Sequence, residues 1–278
     1  MRGYVILFRI ERTIDLEKSK KALLVVSFGT SHADTRERTI DRIESALASA
    51  LPERELYRAW TSGMIIRKLR KEQGIIVPTV TEAMEKMHSD GVTDVLVQPT
   101  HILNGIENDI MTREIDCWQD KFEKITFSTP LLTDEEDCRL TVEAIARELR
   151  PSEGDTALVL MGHGTEHYTN PVYAALDYRF KEMGYDNVFM GTVEAYPSVE
   201  NTLNTVRKNS RIKNIVLAPF MIVAGDHAKN DMAGDEDDSW KSIFENAGYN
   251  TQCVLKGLGE FQPFVDIFVK HAREAEKG

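Results

Sequence analysis

Three side chains able to bind a metal ion or move a proton stand just past apolar runs in the second half of the chain. Ala157-Leu158-Val159-Leu160-Met161 stops at Gly162-His163-Gly164-Thr165, Val188-Phe189-Met190-Gly191-Thr192-Val193 delivers Glu194, and the run 215–223 leads through Ala224-Gly225-Asp226 to His227. The intervals, 31 and 33 residues, are each about one strand–helix unit. Aliphatic runs of this length suit strands buried on both faces of a parallel sheet, and open α/β sheets bind ligands outside the carboxyl ends of their strands. Glycines 162 and 164 allow a sharp turn and close approach of a ligand to the backbone. Two imidazoles and a carboxylate with one open position suit a first-row divalent ion such as Co, Fe, Ni or Zn. They equally suit general acid–base work near neutral pH. A single histidine after a strand is ordinarily a hydrogen-bonded loop residue; three such donors at equivalent strand ends bring the functional reading level with that one.

The elements that must position these groups alternate along the whole chain. In the first half strands are expected at 21–30, 55–61, 94–100 and 124–129. Helices are expected at 34–51, 62–71, 78–89, 108–122 and 134–149, the first carrying Ile40, Ile43, Ala46 and Leu47 on one stripe. Pro151-Ser152-Glu153-Gly154-Asp155 reads as a linker. Beyond it strands are expected at 157–163, 188–194, 214–223 and 252–257, and helices at 170–183, 198–208, 237–247 and 261–276. Ser198 is a natural N-cap, and the last helix repeats apolar residues at Phe261, Phe264, Val265, Phe268, Val269 and Ala272. Such alternation implies right-handed βαβ units and parallel sheets.

The two halves also resemble each other. Ala22-Leu23-Leu24-Val25-Val26-Ser27-Phe28-Gly29-Thr30-Ser31-His32 matches residues 157–167 at five of eleven positions, and 94–105 runs parallel to 214–225. The fold class expected is therefore α/β, as two Rossmann-like domains related by an internal repeat and facing each other across a cleft. They would span 21–150 and 156–278, after a leader of unknown role over 1–20. Phe28 stands where His163 stands in the second half, so the first half would offer an apolar wall to polar chemistry held by the second.

Composition narrows the partners. A net charge of −11 argues against nucleic acid, which needs a basic face. No apolar run approaches the ~20 residues needed to span a bilayer. Cys117, Cys138 and Cys253 show no CxxC spacing, so a disulfide framework or cysteine zinc site is not expected, and a reducing compartment, the cytoplasm, fits. No GxxxxGK[ST] or strand-following GxGxxG is present, so neither ATP nor a dinucleotide has a visible site.

Several longer motifs carry a family resemblance. Ser27-Phe28-Gly29-Thr30-Ser31, Thr61-Ser62-Gly63-Met64-Ile65-Ile66-Arg67-Lys68-Leu69, Met161-Gly162-His163-Gly164 and Val193-Glu194-Ala195-Tyr196-Pro197 are similar to the anaerobic sirohydrochlorin cobaltochelatases of cobalamin biosynthesis. So are Val223-Ala224-Gly225-Asp226-His227-Ala228-Lys229-Asn230-Asp231-Met232, the most specific of them, 234–241 and Gly257-Leu258-Gly259-Glu260. The resemblance runs from about residue 21 to the C-terminus. It implies an ATP-independent tetrapyrrole chelatase acting on sirohydrochlorin or precorrin-2, related in fold to ferrochelatase, with the macrocycle in the cleft between two domains. It also implies that His163, Glu194 and His227 handle the metal, with His163 and Glu194 catalytic, that Co²⁺ is a substrate, and that no nucleotide or organic cofactor is needed. Substrate contacts are expected from Phe28, Gly29, Thr30, Thr61, Ser62, Arg67, His101 and Tyr196.

Other residues are weighed against blander roles. Arg67, Lys68, Arg70 and Lys71 could meet substrate carboxylates, though a solvated helix face is the commoner reason for such a run. His101 is a candidate for a haem-like ligand, set against a hydrogen-bonded loop histidine. His32 and His167 occupy matching repeat positions just past the strand ends and are weighed as peripheral metal ligands against the commoner capping role, which is the one expected, while His88 and His271 are expected on helix surfaces. The acidic run Asp231, Asp235, Glu236, Asp237 and Asp238 either draws cations toward the site or is a solvated face. Fe²⁺ or Ni²⁺ insertion into the same macrocycle is the nearest alternative, and a non-catalytic tetrapyrrole or metal carrier the alternative of another class. One copy would suffice for a closed cleft, leaving monomer and homo-oligomer both open.

Overall fold

The computed structural model describes residues 19–278, and the leader expected over 1–20 lies, but for its last two residues, outside the described residues. β1 (Lys21–Ser27), β2 (Glu55–Trp60), β3 (Asp94–Pro99) and β4 (Lys124–Phe127) form one sheet in the order β2-β1-β3-β4. β5 (Thr156–Gly162), β6 (Val188–Thr192), β7 (Asn214–Phe220) and β8 (Asn250–Cys253) form a second in the order β6-β5-β7-β8. Every pairing is parallel. The shared order is the repeat seen in the sequence, and in each sheet the winding reverses between the first and third strands, the crevice where open α/β sheets take ligands.

The helices are α1 (Ala33–Arg38), α2 (Ile40–Ala50), α3 (Gly63–Gln73), α4 (Val80–Ser89), α5 (Ile106–Asp116), α6 (Glu135–Glu148), α7 (Val172–Glu182), α8 (Val199–Val206), α9 (Trp240–Asn246) and α10 (Gln262–Lys277). Ser198 caps α8 as expected, its side chain accepting from Asn201 N–H. Several expected elements are corrected: the strand over 252–257 is Asn250–Cys253, the helix over 108–122 ends at Asp116, and three others change for reasons visible in their contacts. The single helix over 34–51 is two, broken at Thr39, whose hydroxyl turns back to donate to Thr35 O at 2.6 Å. The turn around Gly259 presses on that break: a Cβ there would lie 2.9 Å from Thr39 Cβ. The strand over 214–223 ends at Phe220, because Met221 and Ile222 turn their carbonyls to the N–H groups of Leu258 and Gly259. The helix expected from 237 starts at Trp240 behind the Ser239 cap, and 228–232 winds separately as one π-helical turn.

Alternate residues of the central strands enter different cores, as the pleat requires. Leu23 and Val25 of β1 share one buried cluster with Leu158 and Leu160 of β5, so the two sheets are joined by a common apolar layer. Ala22, Leu24 and Val26 face a second cluster under α4 and α5, and Ala157, Val159 and Met161 a third under α8 and α9.

The final helix crosses between halves. α10 packs on α2, α6, β3 and β4, burying Phe264, Val265, Phe268 and Ala272 in the common layer. Polar contacts fix it there. Arg54, 2% exposed in its side chain, reaches Glu276 Oε2 at 2.6 Å, Asp94 Oδ1 at 3.0 Å and Ala22 O at 3.0 Å. His271, expected at the surface, is buried instead: its Nε2 lies 2.7 Å from Asp137 Oδ1 of α6, with side-chain exposures of 3% and 1%. The apolar stripe of α10 was legible, but the polar position within it depends on a carboxylate 134 residues away.

Burial alone would raise the Asp137 carboxyl, but the His271 hydrogen bond and charge and the N–H groups of Thr133 and Asp134 more than reverse this, so it titrates below the ordinary carboxylate range. A carboxyl depressed by folding contributes stability above its unfolded pKa, about 3.9, and loses it as pH falls through the lower folded value. Asp137→Ala is therefore expected to cost about 3–5 kcal/mol in urea unfolding at pH 7, since it strands a buried histidine. Its deficit against the parent should narrow as pH drops below about 4.

Candidate metal centre

The register of the second sheet brings the three donors together. Gly162, the last residue of β5, pairs with Thr192 of β6 and Phe220 of β7. His163 is thus the first residue past the central strand, between two neighbours that end level with it. Two further bonds continue the pattern beyond the ladder, Val193 N–H to Gly162 O and Glu194 N–H to His163 O, each at 3.0 Å. Glu194 is carried out beside His163 by that extension. Gly164 then turns with φ +84°, and a Cβ there would lie 2.9 Å from both Cβ and N of Ala195. Only glycine fits between the two loops. Asn170 ties them further, accepting from Thr165 N–H at 3.1 Å and donating to Tyr196 O at 2.7 Å.

His227 arrives by a longer path, at the start of the π-helical turn 228–232. Such turns are rare and often accompany functional sites. Here the turn brings Asp231 Oδ2 to 2.8 Å from His227 Nδ1.

One ligand atom from each of His163, Glu194 and His227 lies within 4.8 Å of the others. The two imidazoles meet edge to face with centroids 4.8 Å apart, and His163 Nδ1 is 3.8 Å from Glu194 Oε2. His163 Nδ1 also lies 2.8 Å from Gly164 O. A carbonyl and a carboxylate can only accept, so Nδ1 donates in both rings and Nε2 is the nitrogen left for an ion. The side chains are 45%, 56% and 37% exposed for His163, Glu194 and His227, which leaves the group open to an incoming ligand. Two neutral donors and one carboxylate make a set able to hold a divalent ion and to take up protons.

The residues expected to touch substrate fall into two groups. Phe28 and Tyr196 are exposed at strand ends, at 44% and 66%, and Arg67 is exposed on α3 with Lys68, Arg70 and Lys71. Gly29, Thr30, Thr61 and Ser62 shape the loops beneath them. Gly29, at φ +102°, admits the Trp60 ring against its backbone, Thr61 and Ser62 donate N–H to Ser27 O and Phe28 O, and Ser62 caps α3. His101 is 8% exposed, and among the described residues neither ring nitrogen has a hydrogen-bond partner. Burial, only partly opposed by Asn108, lowers its pKa to about 4, so it is neutral at pH 7.

Sequence reasoning missed the Asp231 contact, although the residue stood in the acidic run; its i,i+4 spacing from His227 was the available signal. The capping role expected of His32 and His167 is also corrected. His32 precedes α1 without a side-chain cap, and its Nε2 instead lies 2.9 Å from Asp226 Oδ1. His167 Nε2 lies 3.3 Å from Asp109 Oδ2. The His32 hydrogen bond, against a smaller effect of burial, and the charges of Lys68 and Lys229 hold the Asp226 carboxyl below its usual range.

The chain resembles known proteins over most of its length. Residues 21–277 match the family described as cobalt chelatase (CbiK). The chain is 41% identical over 256 residues to a sirohydrochlorin cobaltochelatase of Salmonella typhimurium, covering 92% of this chain and 96% of that one. It is 30% identical over 266 residues to the sirohydrochlorin cobaltochelatase CbiKC of Nitratidesulfovibrio vulgaris, covering 94% and 92%. Among solved structures it is similar in fold to SirB from Bacillus subtilis with Fe³⁺, at TM-score 0.62 and 15% identity, covering 92% and 95%.

The tight passage at Gly164 gives a direct check on the loops. Gly164→Ala is expected to lose about 1–3 kcal/mol from the left-handed backbone alone, with a further cost from the Ala195 contact, as measured by urea unfolding. Gly184→Ala, where φ is +82° but nothing lies within 4 Å, should show only the backbone part.

Proposed function

The chain belongs to the cobalt chelatase (CbiK) family, and from that premise we propose that His163, Glu194 and His227 receive the metal ion and the protons it displaces. The enzyme inserts Co²⁺ into sirohydrochlorin, using no nucleotide. The observation that supports the site assignment is the convergence of these three donors, from three adjacent strand ends, within 4.8 Å of one another.

Insertion exchanges two pyrrolic protons for one divalent cation, and the cation sheds water as it enters. His163 and His227 offer Nε2 lone pairs that replace some of that water, and Glu194 balances part of the charge. As the ion passes to the ring nitrogens, the Glu194 carboxylate takes one pyrrolic proton. The imidazole of His163, released by the ion, takes the other. The open side of the group is where the macrocycle stands. Phe28 and Tyr196 press on the ring faces, and Arg67 with its neighbours on α3 meets the carboxylates. Holding the ring bent, with nitrogens toward the ion, draws on binding energy from these contacts.

All three metal donors come from one chain, so a single copy is sufficient for the site. We assign the cytoplasm as its compartment, in keeping with three free cysteines. Among the described residues no helix is long and apolar enough to cross a membrane.

In a spectrophotometric insertion assay with Co²⁺, Fe²⁺ and Ni²⁺ competing for one pool of sirohydrochlorin, cobalt product should dominate. His163→Ala and Glu194→Gln should each lower the insertion rate by about 10²–10⁴-fold, the usual worth of a positioned acid–base group. A His163→Ala protein working at the parental rate would overturn the assignment, and tight macrocycle binding without turnover in the parent would make the chain a carrier.

A further inference from the structure

The repeat places a histidine at one position twice, two residues past a Gly-Thr pair: Gly29-Thr30-Ser31-His32 and Gly164-Thr165-Glu166-His167. The local geometry repeats as well, with His32 N–H on Thr30 Oγ1 at 3.2 Å and His167 N–H on Thr165 Oγ1 at 3.1 Å. Each ring then leaves its own half of the molecule. His32, past β1, reaches the loop after β7, with Nε2 at 2.9 Å from Asp226 Oδ1 and Nδ1 at 3.1 Å from Lys229 Nζ. His167, past β5, reaches the start of α5 after β3, with Nε2 at 3.3 Å from Asp109 Oδ2, while its Nδ1 accepts Thr169 N–H at 3.3 Å.

An ammonium and a peptide N–H only donate, so Nδ1 is the acceptor in both rings and Nε2–H faces a carboxylate of the opposite half. A histidine–carboxylate contact is thus made twice in opposite senses, as a hydrogen bond at 2.9 Å for His32 and as a charge approach at 3.3 Å for His167, joining the strand-end rim of one sheet to that of the other. Exposed ion pairs ordinarily contribute little. These imidazoles, however, are only 27% and 11% exposed in their side chains, and each approaches from a sheltered side a carboxylate that is 64% and 51% exposed, on the loop after β7 and on α5 respectively. The first contact has a special address: Asp226 and Lys229 bracket His227.

We propose that His32 and His167 are positioning residues that clasp the two rims across the cleft, and that His32, by gripping Asp226 and Lys229, fixes where His227 stands beside His163 and Glu194. The second half of this statement rests on the metal-site reading above. The two clasps then have separable effects, one on the ion and one on the macrocycle.

Two measurements on the full-length protein test this: Co²⁺ alone titrated by its visible absorption, and kcat and KM for sirohydrochlorin. His32→Ala should weaken Co²⁺ binding by about 10–100-fold, the usual effect of removing a group behind a ligand. His32→Gln, whose amide can donate to Asp226 and accept from Lys229, should recover most of it. His167→Ala should leave Co²⁺ binding within about twofold yet raise KM for sirohydrochlorin by about tenfold, a binding loss near 1.4 kcal/mol. Asp109→Ala should reproduce that rise, and the double variant should be no worse than either single. Parental Co²⁺ affinity in His32→Ala, or additive KM effects at His167 and Asp109, would overturn the proposal. His227→Ala is the control: if it keeps Co²⁺ binding, the metal-site reading fails, whereas loss there with none in His32→Ala sinks the clasp alone.

Discussion

Parallel pairing of β5 with β6 on one side and β7 on the other is the constraint from which the site follows. Because all three strands run the same way, their carboxyl ends lie together, and Gly162 is level with both Thr192 and Phe220. Each strand therefore releases its chain into the same crevice, with the switch in winding direction clearing the space above β5. An antiparallel neighbour would have delivered a strand start there, and its donor residues to the opposite edge. Two peptide bonds past the ladder then suffice to carry Glu194 alongside His163. Only His227 needs a longer device, the π-helical turn whose Asp231 steadies its ring.

How far this could be read in advance depended on the range of the physics involved. The apolar runs that became β1 and β5 fill both faces of their strands, so their composition alone declared them, and the Ser198 cap is a contact within four residues. The convergence of His163, Glu194 and His227 was legible because strand ends share an edge whatever the loops do. Thr39, Met221 and His271 were not. Each is decided by a partner far along the chain: the 257–260 turn for the first two, and Asp137 for the third. Helix periodicity says that a position is on a stripe but not that a buried imidazole will find a carboxylate there. The contacts of His32 and His167 fell in the same class, since the repeat exposed their equivalence and only the facing of the two rims gave it a purpose.

Openness and rigidity are divided between different atoms of the site. The His163, Glu194 and His227 side chains are substantially exposed, while the backbone beneath them is fixed by glycine passages that admit no side chain and by bonds to the neighbouring loop. On the proposed reading, a site that must give up its ion to a better chelator needs donors that are few and accessible. It also needs them to return to one geometry after each turnover, which the loops provide. The exposed aromatic residues at the rims, Phe28 and Tyr196, sit on the same firm footing.

The crossing of α10 has a bearing on how the molecule is made. This helix, which covers β3 and β4 and meets Arg54 through Glu276, follows the whole of the second sheet in the chain and so leaves the ribosome after it. Although β1 to β4 emerge early, the part of their apolar face over β3 and β4 lacks its cover until α10 has followed the second half out. The first half thus cannot be finished as a separate unit ahead of the second, and duplication here has produced two halves that look alike but mature together.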